Sequence, residues 1–334
     1  LIRSSTRRSN MSLSPSFRAA LCAWAMATSS SAFAGSYPDK PIQLIAQQPP
    51  GSGSDAMTRV WADCAARELG QPVVVQNKPG ANGVLAINYL KSQASDGYNL
   101  MSIGMSQMTI TPYVYRQMPY DPSKDFDGVA IFGVTPLVLV THSGSGIHKL
   151  ADLPELAKKT PGGLNFGSPG KGSPAHLLTT ALTDRMQAAS MHIPFVGEGA
   201  GLTALMGGQI QIMALVSSTA LPQIKAGRLV PLAVFAPERT PALPDVPAVT
   251  ELLDAKDLAR TSWIGIVAKA GTPPDVLARL NRVTQACLGD ASYQNRLQAM
   301  NVQPMATPAA ELKRRAEQDA QVWRPLIDRL GLAE

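Results

Sequence analysis

The chain has 334 residues, of which 45% are hydrophobic and 16% charged, a globular composition with room for two ordinary domains. Its 30 basic against 24 acidic residues give a net charge of +6, but Arg3, Arg7, Arg8 and Arg18 stand in an acid-free stretch of 34 residues, so the rest carries 26 against 24. That balance has no dense basic run for a nucleic-acid surface, and beyond residue 34 no segment has the ~20 apolar residues of a membrane-spanning helix.

The N-terminal stretch reads as an export signal. Met11 is the expected start, Arg18 precedes a short apolar core at 19–28, and Ala32-Phe33-Ala34 forms an A-x-A cleavage signal. The expected signal region is 1–34, with cleavage after Ala34 and delivery to the periplasm. Cys22 lacks a lipobox, so no lipid anchor is expected.

Short apolar runs and amphipathic stretches then alternate. The pattern predicts strands at 41–47, 72–77 and 98–104 and helices at 55–69 and 83–94. In the first helix Met57, Val60, Trp61, Cys64 and Leu69 fall near one face. This β-α-β-α-β order is the mark of a mainly parallel sheet covered by helices. Residues 128–142 read as two strand runs parted by a turn. Helices are then predicted at 150–158, 174–187, 199–206 and 219–226, with strands in "GLNFGSPG", "MHIPFVG", "QIQIMALVS" and "LVPLAVFA". A further strand, a Pro-rich turn and a helix follow in "TSWIGIVAKAGTPPDVLARLNRVTQACL", and 309–330 is an amphipathic helix. Cys64 and Cys287 are too few for a disulfide framework. An oxidising compartment permits their pairing, but Cys64, among apolar neighbours, is expected to be a buried free thiol.

Two strand-to-helix loops carry the chemistry. In "PPGSGSD" (49–55) the glycines allow close backbone approach, Ser54 or Asp55 can cap the following helix, and the free N–H groups there favour an anion. "NFGSPGKGSPAHL" (165–177) repeats that chemistry with Ser168, Lys171 and Ser173. Two such loops can close on one anionic ligand in a crevice beyond the carboxyl ends of the strands. A phosphate loop is excluded in detail: Gly170-Lys171 is followed by Gly172, and the first motif position is Asn165. The strand ending at 77 also lacks a ribose-binding acid. His142, His148, His176 and His192 form no metal motif, and no G-x-S-x-G elbow is present. His176, close to Ser173, is expected to cap or pack rather than act as a general base. No cofactor and no metal are expected.

Taken together, "YPDKPIQLI", "PPGSGSD", "LGQPVVVQNKPGANG", "SDGYNL", "LNFGSPGKGSPAHL", "ALMGGQIQIM", "RTPALPDVPAVTE" and "AKAGTPPDVLARLN" make the chain resemble the Bug family over Tyr37 to Leu332. These are the solute-binding proteins of tripartite tricarboxylate transporters. The resemblance implies a two-lobed α/β Venus-flytrap of the periplasmic-binding-protein type, with lobe 1 from 36–140 plus 260–334 and lobe 2 from 141–259. It implies capture of a small carboxylate between the lobes for the membrane subunits of such a transporter, without nucleic acid and without catalysis. A ligand-sensing subunit for a signalling receptor, and a hinge-bending enzyme acting on a carboxylate, are the alternatives.

The resemblance places ligand contacts on Gly51, Ser52, Gly53, Ser54 and Asp55, on Ser168, Gly172, Ser173 and Ala175, and on a third loop with Ser106 and Gln107. Three departures bear on the ligand. Gln47-Gln48 stands where the family has Pro-Phe, replacing an apolar wall by amides. Pro194-Phe195-Val196-Gly197 lacks the family's lysine, and Leu215 stands where an acid often reads an amino group. Gln48 and Phe195 complete the expected site.

Overall fold

The computed structural model describes residues 37–115 and 117–333. The expected signal region, Met11, Cys22 and the Ala34 cleavage point lie outside the described residues. The first run is β1 (Ile42–Ala46), α1 (Gly53–Leu69), β2 (Val73–Asn77), α2 (Val84–Ser92) and β3 (Asn99–Gly104). β1 is apolar apart from Gln43 because it is interior, between β2 and β3. α1 buries Met57, Val60, Trp61, Cys64 and Leu69 as its periodicity requires, and stops at Gly70, whose φ of 66° opens the left-handed cap.

Short helical turns lead into β4 (Phe126–His142), which corrects the expected break. It is one continuous strand. Up to Pro136 it pairs with β9 (Thr261–Lys269), and from Leu137 it pairs with β7 (Ile212–Val216) and β8 (Leu229–Phe235). Proline has no N–H to give a ladder. Here it sits where the strand exchanges partners, so the missing donor ends one ladder rather than breaking a strand. Register shifts between Gly128 and Ala130, Ile131 and Gly133, and Leu139 and Val140 bend β4 along its length.

α3 (Leu153–Lys159), β5 (Leu164–Ser168), α4 (Pro174–Arg185), β6 (Ser190–Pro194), α5 (Gly197–Met206) and α6 (Ser217–Lys225) build the second half around β7 and β8. The chain then returns through β9, α7 (Pro274–Cys287), α8 (Ala291–Ala299), β10 (Gln303–Pro304) and α9 (Ala309–Arg329). The strand order is β2-β1-β3-β9-β4-β7-β5-β6, with β8 and β10 also on β4. Both outer trios, β2-β1-β3 and β7-β5-β6, are parallel as expected, while the pairings of β9 and β4 at the centre are antiparallel. The result is an α/β fold with a mixed, curled sheet. Among the described residues no helix is long and apolar enough to cross a membrane.

The expected free thiol is also corrected. Cys64 on α1 and Cys287 on α7 form a disulfide, with Cα atoms 6.0 Å apart across 223 residues of sequence. The two helices meet face to face, and one turn away the indole N–H of Trp61 donates to Thr284 Oγ1 at 3.2 Å. Periodicity shows which face Cys64 occupies but not which distant helix covers it. Closing so long a loop removes much freedom from the unfolded chain, so reduction is expected to cost about 2–5 kcal/mol. Thermal unfolding with and without a thiol reductant measures this. The reductant is expected to lower the midpoint of the wild-type chain and to leave that of a Cys64→Ser, Cys287→Ser double variant unchanged.

Candidate functional site

The first loop runs from the carboxyl end of β1 to the start of α1. Gly51 has φ of 80°, a left-handed turn that a side chain resists. The helix cap is Ser52, whose Oγ accepts from the Asp55 N–H at 3.2 Å, rather than the expected Ser54 or Asp55. Asp55 is buried and turned into the scaffold. It accepts from the Gly51 N–H at 2.9 Å, from Arg59 Nε at 3.0 Å and from Asn77 Nδ2 at 2.7 Å. Asn77 also donates to the Gln48 carbonyl at 2.8 Å, so the loop is held at both ends.

Burial opposes ionisation of Asp55, but the hydrogen bonds from Arg59, Asn77 and Gly51 outweigh it together and hold its pKa below 3.8. Its contribution to stability is therefore present above pH 3.8 and is lost as pH falls through the depressed folded value. Asp55→Ala leaves those donors unpaired and is expected to cost about 1–3 kcal/mol at neutral pH. Urea unfolding should show this loss at pH 7 and a smaller difference from wild type as the medium is acidified.

The second loop runs from Ser168, at the carboxyl end of β5, to α4. Ser173 Oγ accepts from the His176 N–H at 3.2 Å and caps the helix. The Gly172 N–H donates to His176 Nδ1 at 3.2 Å, and Ser168 Oγ shares a 2.6 Å hydrogen bond with His192 Nε2. The two imidazoles stack with centroids 3.7 Å apart, and Phe166 lies 5.1 Å from His192. Burial first, then mutual repulsion and nearby Lys171, lowers His176 to about 3; burial and Lys171 lower His192 to about 4. Both rings are neutral at pH 7 and support the loop from beneath. His176 packs and accepts, as expected.

The third element follows β3. Ser106 Oγ donates to the Gly172 carbonyl at 3.1 Å and so ties this element to the second loop. Gln107 Nε2 donates to the Asn82 carbonyl at 2.9 Å, and Asn82, at φ of 48°, donates through Nδ2 to Thr111 Oγ1 at 2.8 Å.

These loops enclose a chamber of about 80 Å³. Gln48, Ser52, Ser54, Ser106, Gln107, Ser173 and Ala175 line it, at the starts of α1 and α4. Phe195 lines an adjoining vestibule of about 300 Å³ that shares Gln47, Gln48, Asn82 and Pro169 with the chamber. Gly51, Gly53, Asp55, Ser168 and Gly172 line neither space. Gly53 acts by contact instead. Its N–H donates to Thr219 Oγ1 at 3.2 Å, and a Cβ there would fall 2.1 Å from Ser218 Oγ, so only glycine fits.

Sequence reasoning missed Asn82, read only as part of a turn, and Glu198. The acid between two glycines in "VGEGAG", just after the departure at Pro194–Gly197, was the available signal. Glu198 is buried in the chamber wall, where Oε1 accepts from the Val216 N–H at 3.0 Å and Oε2 from Thr219 Oγ1 at 2.6 Å. Burial raises its pKa against the lowering effect of these two donors. Leu215, in contrast, is fully buried in the core.

A carboxyl whose folded pKa is raised contributes stability below its ordinary 4.5, and that contribution is lost as pH rises through the raised value. Glu198→Gln keeps an acceptor for Val216 and removes the buried charge. We expect the variant to unfold at a higher temperature than wild type near neutral pH, with the difference vanishing below pH 4.5.

A family model described as the tripartite tricarboxylate transporter family receptor matches residues 57–332. Protein BugT of Bordetella pertussis is 31% identical over 299 residues, covering 89% of this chain and 91% of BugT. The solved structure of the periplasmic binding protein BugD is 25% identical, with a TM-score of 0.84 over 89% of this chain and 99% of that one. R. palustris Rpa4515, solved with adipate, is 26% identical, with a TM-score of 0.85 over the same shares.

Proposed function

This chain belongs to the tripartite tricarboxylate transporter family of receptors, a solute-binding protein of the periplasmic type, and we propose that its chamber holds the carboxylate of a small acid. One observation carries the reading. Residues from three loops, borne on both halves of the sheet, converge on one chamber with the starts of α1 and α4 in its wall. The positive end of each helix stabilises an anion there, and hydroxyl donors give charge-assisted hydrogen bonds. The adipate bound to the R. palustris relative supports a carboxylate as the ligand class.

The proposed lobes are 36–140 with 260–334, and 141–259. β4 passes between them, and it exchanges ladder partners between Pro136 and Leu137. The proposed action is capture and release without chemical change, in the periplasm after export, with hand-over to the membrane subunits of a tripartite transporter. Of the expected contacts, Ser52, Ser54, Ser106, Gln107, Ser173 and Ala175 are the proposed first neighbours of the ligand. Gly51, Gly53, Asp55, Ser168 and Gly172 shape the loops that hold them.

Ser54 is the clean probe, because Ser52 and Ser173 also cap helices. After a thermal-shift screen over small carboxylates has found a binder, Ser54→Ala is expected to weaken it by about 1–3 kcal/mol in calorimetry, with little change in unfolding temperature. Ser173→Ala should weaken binding similarly and also lose about 1 kcal/mol of stability through its cap. Unchanged affinity in both variants would remove the carboxylate from this chamber.

A further inference from the structure

The strands that join the two halves have a second face. β4 and β9 lie side by side at the crossing, with Thr135 opposite Ser262 and Pro136 opposite Thr261. Successive side chains of a strand point to opposite faces of the sheet. Leu137 and Ser262 accordingly line the chamber, while Val134, Pro136 and Thr261 line a separate cavity of about 580 Å³ at the rear. Both halves contribute to its wall. Gln298 and Asn301 come from the end of α8 and the turn after it, and Thr240 and Ala242 from the segment after β8.

One residue ties the two halves there. Asn301 follows α8 with a left-handed φ of 55°, and the Val302 N–H bonds back to the Leu297 carbonyl at 3.0 Å. Glycine is the usual residue in such a position, because it has no Cβ to strain. Here a side chain is present and reaches the other half. Asn301 Nδ2 donates to Ser217 Oγ at 3.1 Å and to Thr240 Oγ1 at 3.2 Å, one proton for each. Ser217 Oγ donates in turn to the Pro136 carbonyl at 3.1 Å, where β4 exchanges ladder partners. Two residues further along α6, Thr219 accepts from the Gly53 N–H at 3.2 Å. The first turn of α6 is thus held twice, by the first loop and by Asn301. Ser106 is bonded to the Gly172 carbonyl at the same time, so the rear ties and the loop contacts belong to one conformation.

We propose that Asn301 and the rear cavity form a counter-hinge, which sets the balance between open and closed cleft without touching the ligand. This rests on the proposed movement of two lobes about β4 and β9. Halves that turn about the crossing strands narrow the chamber on one face as they part on the other. Filling the rear cavity therefore favours closure, and the Asn301 ties favour the conformation in which the loops meet. The affinity for any ligand scales with the fraction of chain in the competent form, so the device acts on every ligand alike.

The test needs no ligand. Spin labels on Leu85→Cys and Val196→Cys report the width of the cleft mouth in the ligand-free mature chain, read by pulsed dipolar spectroscopy. Both residues are exposed. Val196 lines the vestibule, and Leu85 packs on Gly80, which lines it from the other half. The wild type is expected to show a short and a long distance. Asn301→Gly, which suits the φ of 55° and keeps the turn, should move their ratio about fivefold toward the long one. Thr240→Val should act in the same direction and add little to Asn301→Gly, since the two share a tie. Gln298→Trp, which fills the rear cavity from the exposed end of α8, should move the ratio toward the short distance.

Two distances whose ratio none of these variants changes overturn the counter-hinge and leave the two lobes standing. A shift of Gln298→Trp toward the long distance overturns it as well. A single distance, the same in wild type and every variant, means that the lobes do not move, and then the two-lobe reading fails and this inference with it. Should one variant not fold, the other two decide.

Discussion

The backbone hydrogen bonds of β4 run to β9 as far as Pro136 and to β7 and β8 from Leu137 onward. One 17-residue strand thus belongs to both halves of the sheet, and the other elements take their places from it. β9 brings the chain back beside β3, which puts α7 on α1 and allows Cys64 to meet Cys287. β7 sets β5 and β6 at the opposite end. Because the outer trios are parallel, each delivers the carboxyl ends of its strands, with their helix starts, to one side. The first and second loops face each other for that reason rather than through any attraction of their own.

Once the loops are opposed, their chemistry is set by what burial does to each ionisable group. Beyond the first 34 residues the chain has 26 basic and 24 acidic residues, so no broad field draws in an anion. Attraction is local, in N–H groups and hydroxyls. Asp55, which would repel a carboxylate, is turned away and neutralised by Arg59 and its other donors. His176 and His192 are neutral supports. Among the described residues Glu198 alone places an acidic group in the chamber wall, where burial raises its pKa.

Much of this was legible in the sequence because helices and strands announce themselves through local periodicity. β1, α1, β5 and α4 lie within a few residues of their expected places. What was not legible depends on partners far along the chain. The pairing of Cys64 with Cys287 needs the packing of two helices 223 residues apart. Thr135-Pro136 reads locally as a break, and only the exchange of ladder partners explains why the strand continues. In the first loop, Ser52, Ser54 and Asp55 are all good caps by type. Which one caps is decided by Arg59 and Asn77 claiming the Asp55 carboxylate. The site was therefore readable as a set of loops, but not as a division between residues that face the chamber and residues that hold it.

That division bears on how the two halves stay together. Polar links between their loops include Ser106 to the Gly172 carbonyl, Tyr115 Oη to the Lys171 carbonyl, and Gly53 through Thr219 to Glu198. Each such bond is worth about 0.5–1.5 kcal/mol net. A ligand that touches both loops contributes bonds of the same order, charge-assisted and therefore somewhat stronger. Capture and closure are then comparable in free energy, which is the condition under which a ligand shifts the population of the closed form and its departure reverses the shift. Glu198 is part of this balance. It takes the last hydrogen bond in the Gly53–Thr219 chain and also lines the chamber, so the residue that closes this contact between the halves is also one that faces the ligand.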